Sequence, residues 1–103
     1  VPQDVSIVND KLLHAIRWAG NDLELTFAES DEMPLRKGVV IRVSDAVGVI
    51  VSMEFGSQSG MGLVWNATAI PEPNGVALLI DFAGAPKGSI SANGTKIDVA
   101  SLA

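Results

Sequence analysis

A chain of 103 residues, 48% hydrophobic and 18% charged, is long enough to bury one self-sufficient core and too apolar to be disordered. A formal net charge of −5 and only seven lysines and arginines, with Arg36-Lys37 the nearest thing to a cluster, argue against nucleic acid or an anionic membrane as partner, since either needs a basic patch. The absence of cysteine excludes disulfides and thiolate chemistry and gives no compartment, and no run of about 18 apolar residues exists to span a bilayer.

The chain begins Val1-Pro2-Gln3 with no initiator methionine and no visible signal peptide, the start expected of a processed or excised product. Val5-Ser6-Ile7-Val8 predicts a first edge strand. Lys11 to Ala19 can be drawn as a short helix or a strand; strand is preferred, because Ile16-Arg17-Trp18 leads straight into Gly20-Asn21. That pair, followed by Leu23, Leu25 and Phe27 in alternation, is a hairpin signal. Glu29-Ser30-Asp31-Glu32-Met33-Pro34 predicts an acidic loop. From Gly38, Val39, Ile41 and Val43 alternate with Val40 and Arg42, and Ser44-Asp45-Ala46 turns the chain into Val47–Phe55. There Val47, Val49, Val51, Met53 and Phe55 occupy one side of a period-two register, opposite Gly48, Ile50, Ser52 and Glu54. Successive strand residues point to opposite faces, so this register predicts one buried and one wet face.

Gly56 to Gly60 predicts a loop without bulky side chains. Leu63 to Ile70 predicts a strand with Leu63 and Trp65 on one face and Val64, Asn66 and Thr68 on the other. Pro71-Glu72-Pro73-Asn74-Gly75 is the firmest turn. Val76, Leu78, Ile80 and Phe82 share a register, and Ala85-Pro86-Lys87-Gly88 predicts a further turn. Ser89-Ile90-Ser91 is expected to pair with Thr95–Val99 across Asn93-Gly94. Seven to nine short, mainly antiparallel strands result, an all-β chain forming a single domain over 1–103. No connection is long enough for a crossover helix.

The run from Ala15 to Phe27, a strand, a Gly-Asn-Asp turn and an alternation ending Thr26-Phe27, resembles the opening strands of bacterial immunoglobulin-like domains. Ala77-Leu78-Leu79-Ile80-Asp81-Phe82, then Ile90 and Asn93-Gly94 before an apolar strand, resembles their closing strands. The resemblance implies an Ig-like β-sandwich, without the Cys…Trp…Cys arrangement of antibody domains. Its core would be Val39, Ile41, Val43, Val47, Val49, Val51, Leu78 and Ile80. The family supplies modules of secreted enzymes, surface adhesins and phage particles, so it implies an extracellular, cell-surface or virion setting and no catalytic motif.

Candidate chemistry is sparse. His14 is the only histidine, and no serine lies in a Gly-x-Ser-x-Gly context. Glu29, Asp31 and Glu32 offer carboxylates to calcium or to a glycosidase pair, but their spacing matches no EF-hand, and a solvated loop accounts for them. No cofactor or metal is predicted. Asn66-Ala67-Thr68 and Asn93-Gly94-Thr95 match glycosylation acceptors, a pattern common by chance. Trp18 and Trp65 are in phase with Ile16 and Leu63, which favours core packing; the alternative is a pair of stacking platforms for sugar rings. Val40, Ile50, Val64 and Leu79 sit on the nominally wet faces of their strands, where an apolar patch marks an interface unless loops or a second sheet cover it. The expected function is a non-catalytic structural or interaction module that meets a protein partner or a second copy. A carbohydrate-binding accessory module is the alternative.

Overall fold

A computed structural model describes residues 4–29, 38–54, 63–83 and 87–101. Eight antiparallel strands carry the described chain: β1 (Leu12–Ala19), β2 (Asp22–Ala28), β3 (Val39–Ser44), β4 (Val47–Glu54), β5 (Leu63–Glu72), β6 (Gly75–Ala83), β7 (Lys87–Gly94) and β8 (Lys96–Ser101). Lys11–Ala19 is thus resolved in favour of strand, and the expected loops at 30–34 and 56–60 lie outside the described residues.

Hydrogen bonding joins the strands into one open sheet in the order β4-β7-β6-β5-β1-β2-β3-β8, where two separate sheets were expected. Among the described residues, strand pairing links the halves β4-β7-β6-β5 and β1-β2-β3-β8 only where the start of β1 runs beside the start of β5. Leu12 pairs with Leu63, the Asp10 N–H donates to the Val64 carbonyl (2.9 Å) and the Val64 N–H to the Lys11 carbonyl (2.9 Å). Beyond this junction β1 and β5 part. Their inner faces contribute to one buried cluster: Leu23, Leu25, Phe27, Val39, Ile41, Val43 and Ile97 from one half, Val64, Leu78, Ile80 and Ile90 from the other. The alternation read in β2, β3 and β6 is the alternation observed.

Three local features depart from a simple reading of alternation. Ser6–Val8 is a 3₁₀ turn, not an edge strand. Val5 and Val8, three residues apart, fall on the same side of such a turn and are both buried, and Asp4 Oδ1 accepts the Ser6 N–H at 2.9 Å. Next, the pairing of β4 with β7 shifts by one residue between Val47 and Ile50, where Gly48 adopts φ +60°. This bulge puts Val47 on the same face as Ile50. Val49 packs against the core but Val47 and Val51 are exposed, so the single buried register expected for Val47–Phe55 is broken. The side chain of Met53 and the whole of Phe55 lie outside the described residues.

Finally, Asn93-Gly94-Thr95 is not a hairpin. β7 pairs with β4 and β6 whereas β8 pairs with β3, so the chain crosses here from one half of the sheet to the other. Residues 44–47 make the matching crossing from β3 to β4, with Asp45 in the left-handed region at φ +50°. The crossings are stitched together: the Thr95 N–H donates to the Ser44 carbonyl at 2.9 Å. A Cβ on Gly94 would lie 2.5 Å from the Ser44 carbonyl oxygen and 2.5 Å from Val43 Cγ1, so glycine is required for close approach rather than for a turn.

Candidate functional site

Register fixes what each outer face presents. Across β4, β7, β6 and β5, one row is Val47, Asn93, Ala77 and Ile70, and the next is Ile50, Ser91, Leu79 and Thr68. A third row, Ser52, Ser89, Asp81 and Asn66, is polar. The first two rows therefore place four exposed aliphatic side chains on one surface, Ile50 at 62% and Leu79 at 38% exposure with Val47 and Ile70 beside them. The patch spans three strand spacings, about 14 Å, and its only polar members are small hydroxyls and one amide. Going from these rows away from the β5–β6 turn, the first charged residue is Asp81.

The other half presents the opposite chemistry. Arg17, Glu24, Arg42 and Asp98 occupy one row across β1, β2, β3 and β8, with signs alternating along it. Glu24 is 4% exposed although it lies on an outer face, because two guanidinium groups cover it. Arg17 Nε donates to Glu24 Oε1 at 2.8 Å and Arg42 Nη2 to Glu24 Oε2 at 2.7 Å. The hydrogen bond from Arg42, then that from Arg17, holds the Glu24 carboxyl below its ordinary range against the opposing effect of burial, and Glu24 raises Arg42 in return. This row was not singled out from the sequence, but the signal was present. A two-residue loop at Gly20-Asn21 sets Ala19 opposite Asp22 and, two residues on along each strand, Arg17 opposite Glu24.

Only two of the four expected interface residues share the apolar patch. Ile50 and Leu79 flank Ser91 in one row. Val40 is half-buried on the charged half, in the row Ala15, Thr26, Val40 and Ala100. Val64 is fully buried: a bulge between Val64 and Asn66 turns it inward with Ala67, so it is a core residue and not part of a surface. The same bulge undoes the expected grouping of Val64 with Asn66 and Thr68. Val47 and Ile70 complete the patch instead, placed there by bulge and register rather than by alternation.

The expectation that both tryptophans pack in the core is not met. Trp65 is 71% exposed because it occupies the extra position of the β5 bulge. Asn9 Oδ1 accepts the Ala67 N–H (3.0 Å) just beyond it. Trp18 pairs with Leu23, so it shares the inner register, yet it is 55% exposed where β1 has parted from β5. Extending the Leu12–Leu63 pairing along the strands separates the two rings by roughly 25 Å of strand, so they do not share a platform.

An open cavity of about 320 Å³ lies where the two crossings meet the β5–β6 turn, lined by Asp45, Glu72, Asn74, Asn93, Thr95 and Val47, among others. Thr95 Oγ1 donates to the Ser44 carbonyl (3.3 Å) and to Asp45 Oδ2 (3.5 Å). The lining residues come from three separate segments, which is why sequence patterning did not group them. His14 is exposed at a bulge in β1, and Glu29 pairs with Lys11 at 3.6 Å, while Asp31 and Glu32 lie outside the described residues. Among the described residues no group of three or more histidine, aspartate and glutamate side chains is disposed to hold a metal, and no helix is long and apolar enough to cross a membrane. Comparison with protein families, with curated proteins and with solved structures finds no match for this chain.

Proposed function

We propose that the protein is a non-catalytic structural or interaction module of a surface, secreted or virion assembly, and that it docks a protein partner on the outer face of β4-β7-β6-β5. The observation that carries this reading is the contrast between the two outer faces. One has a paired charge row that is satisfied internally; the other exposes Val47, Ile50, Ile70 and Leu79 in adjacent rows. Exposed aliphatic side chains gathered on one surface are the usual mark of an interface. Binders selected from a random peptide library against the immobilised protein test it. Their binding should be lost with Ile50→Glu and Leu79→Glu and retained with Thr26→Glu on the charged half. Binders indifferent to Ile50 and Leu79 would overturn the reading.

A second reading, carbohydrate binding, is favoured by the exposure of Trp18 and Trp65, since an exposed indole offers an apolar face to a sugar ring. Binding on a glycan array that vanishes with Trp18→Ala or Trp65→Ala at unchanged stability would support it. An array without signal would remove it.

A further inference from the structure

The cavity and the apolar face are contiguous, because Val47 and Asn93 belong to both: they line the cavity and form the end of the row Val47, Asn93, Ala77 and Ile70. The charge at this end is unbalanced. Among the described side chains, Lys11 pairs with Glu29, Arg17 and Arg42 with Glu24, and Lys96 with Asp98. Each cation whose side chain is described is thus already engaged, and none of them lines the cavity. Asp45 and Glu72 both line it, both are exposed, and neither has an ion-pair partner among the described side chains.

We infer that cavity and face together receive a peptide segment in which a lysine or arginine stands next to aliphatic residues. The cationic head enters the cavity, where Asp45 and Glu72 supply charge and Asn74 supplies further oxygen for its N–H donors. The aliphatic neighbours lie along Val47, Ile50 and Leu79. Charge complementarity selects this partner over a second copy of the chain, whose net charge of −5 opposes a like surface. A long side chain suits the arrangement, since its methylene stem crosses the apolar rim at Val47 and Pro73 while its head stays polar. The inference deepens the protein-docking reading and rests on it.

Peptides enriched from a random twelve-residue library test the partner's chemistry. The enriched set should carry a lysine or arginine beside aliphatic residues. Affinity should fall roughly tenfold with Asp45→Asn plus Glu72→Gln, a change worth one charge-assisted hydrogen bond. Raising salt from about 0.05 M to about 0.5 M should weaken binding to the parent protein but not to that double variant, because only the parent retains the charge attraction. Both substitutions conserve shape, and asparagine tolerates the left-handed conformation at position 45, so the variant should fold. Enriched peptides without basic residues that still depend on Ile50 and Leu79 would overturn the inference while leaving the docking face intact. Peptides that depend on Glu72 but not on Leu79 would overturn the docking face. Dimerisation through the same surface, seen in sedimentation and abolished by Ile50→Glu, would overturn the partner named here.

Discussion

Glu24 is a carboxylate held between two guanidinium groups on a surface that would otherwise be wet. Its carboxyl is lowered in the folded protein, so its contribution to stability is fully present above the ordinary glutamate value of about 4.3. The contribution is lost as pH falls from there through the lowered folded value, because the unfolded chain takes up the proton first. Glu24→Gln should therefore be less stable near neutrality and lose less stability on acidification. Urea unfolding from about pH 5 down to about pH 2 measures this, and parallel curves for the two proteins would contradict it. The tryptophans give a second test at the residue scale. With Trp18 and Trp65 more than half exposed, native emission should be red-shifted and open to acrylamide quenching. Blue-shifted, protected emission from both rings would contradict that exposure.

Strands β2, β3 and β6 are legible in the sequence because their alternation is unbroken: Leu23, Leu25 and Phe27, then Val39, Ile41 and Val43, then Val76, Leu78, Ile80 and Phe82 face inward. The strands misread are those with bulges. One extra residue between Val47 and Ile50, or at Trp65, reverses the faces beyond it, and a local pattern carries no mark of where that occurs. Among the described residues nothing pairs with the far side of β4, and the bulge at Gly48 also serves to roughen that exposed edge. Asn-Gly is a strong local turn signal, so the sequence alone predicts a hairpin for the corner at Asn93-Gly94-Thr95. Its actual role depends on the approach of Ser44, some fifty residues away, which no window of sequence contains. Gly94→Ala should accordingly destabilise the protein by about 1–3 kcal/mol, the range for overpacking at a close contact. An unchanged urea midpoint would show that the two crossings are not in the contact described.

At the scale of the whole molecule, one open sheet shows two unlike outer faces around a shared core. The charged half has its central row paired within itself, whereas the apolar half leaves four exposed aliphatic side chains outside the buried cluster formed by the described residues. Ile50 and Leu79 are visible in the sequence as breaks in alternation, whereas Val40 is set apart by strand order and Val64 is turned inward by the β5 bulge, neither of which a local pattern contains. An apolar face exposed for docking and one covered by the protein itself differ in what a charge costs there. Exposed sites usually change stability by less than about 0.5 kcal/mol, whereas burying an unpaired charge costs several. The most direct measurement is therefore a urea unfolding curve for Ile50→Glu plus Leu79→Glu, run beside a titration with a selected peptide. An open docking face predicts a midpoint close to that of the parent protein together with loss of peptide binding. A loss of several kcal/mol, or peptide binding unaffected by the two charges, would contradict it.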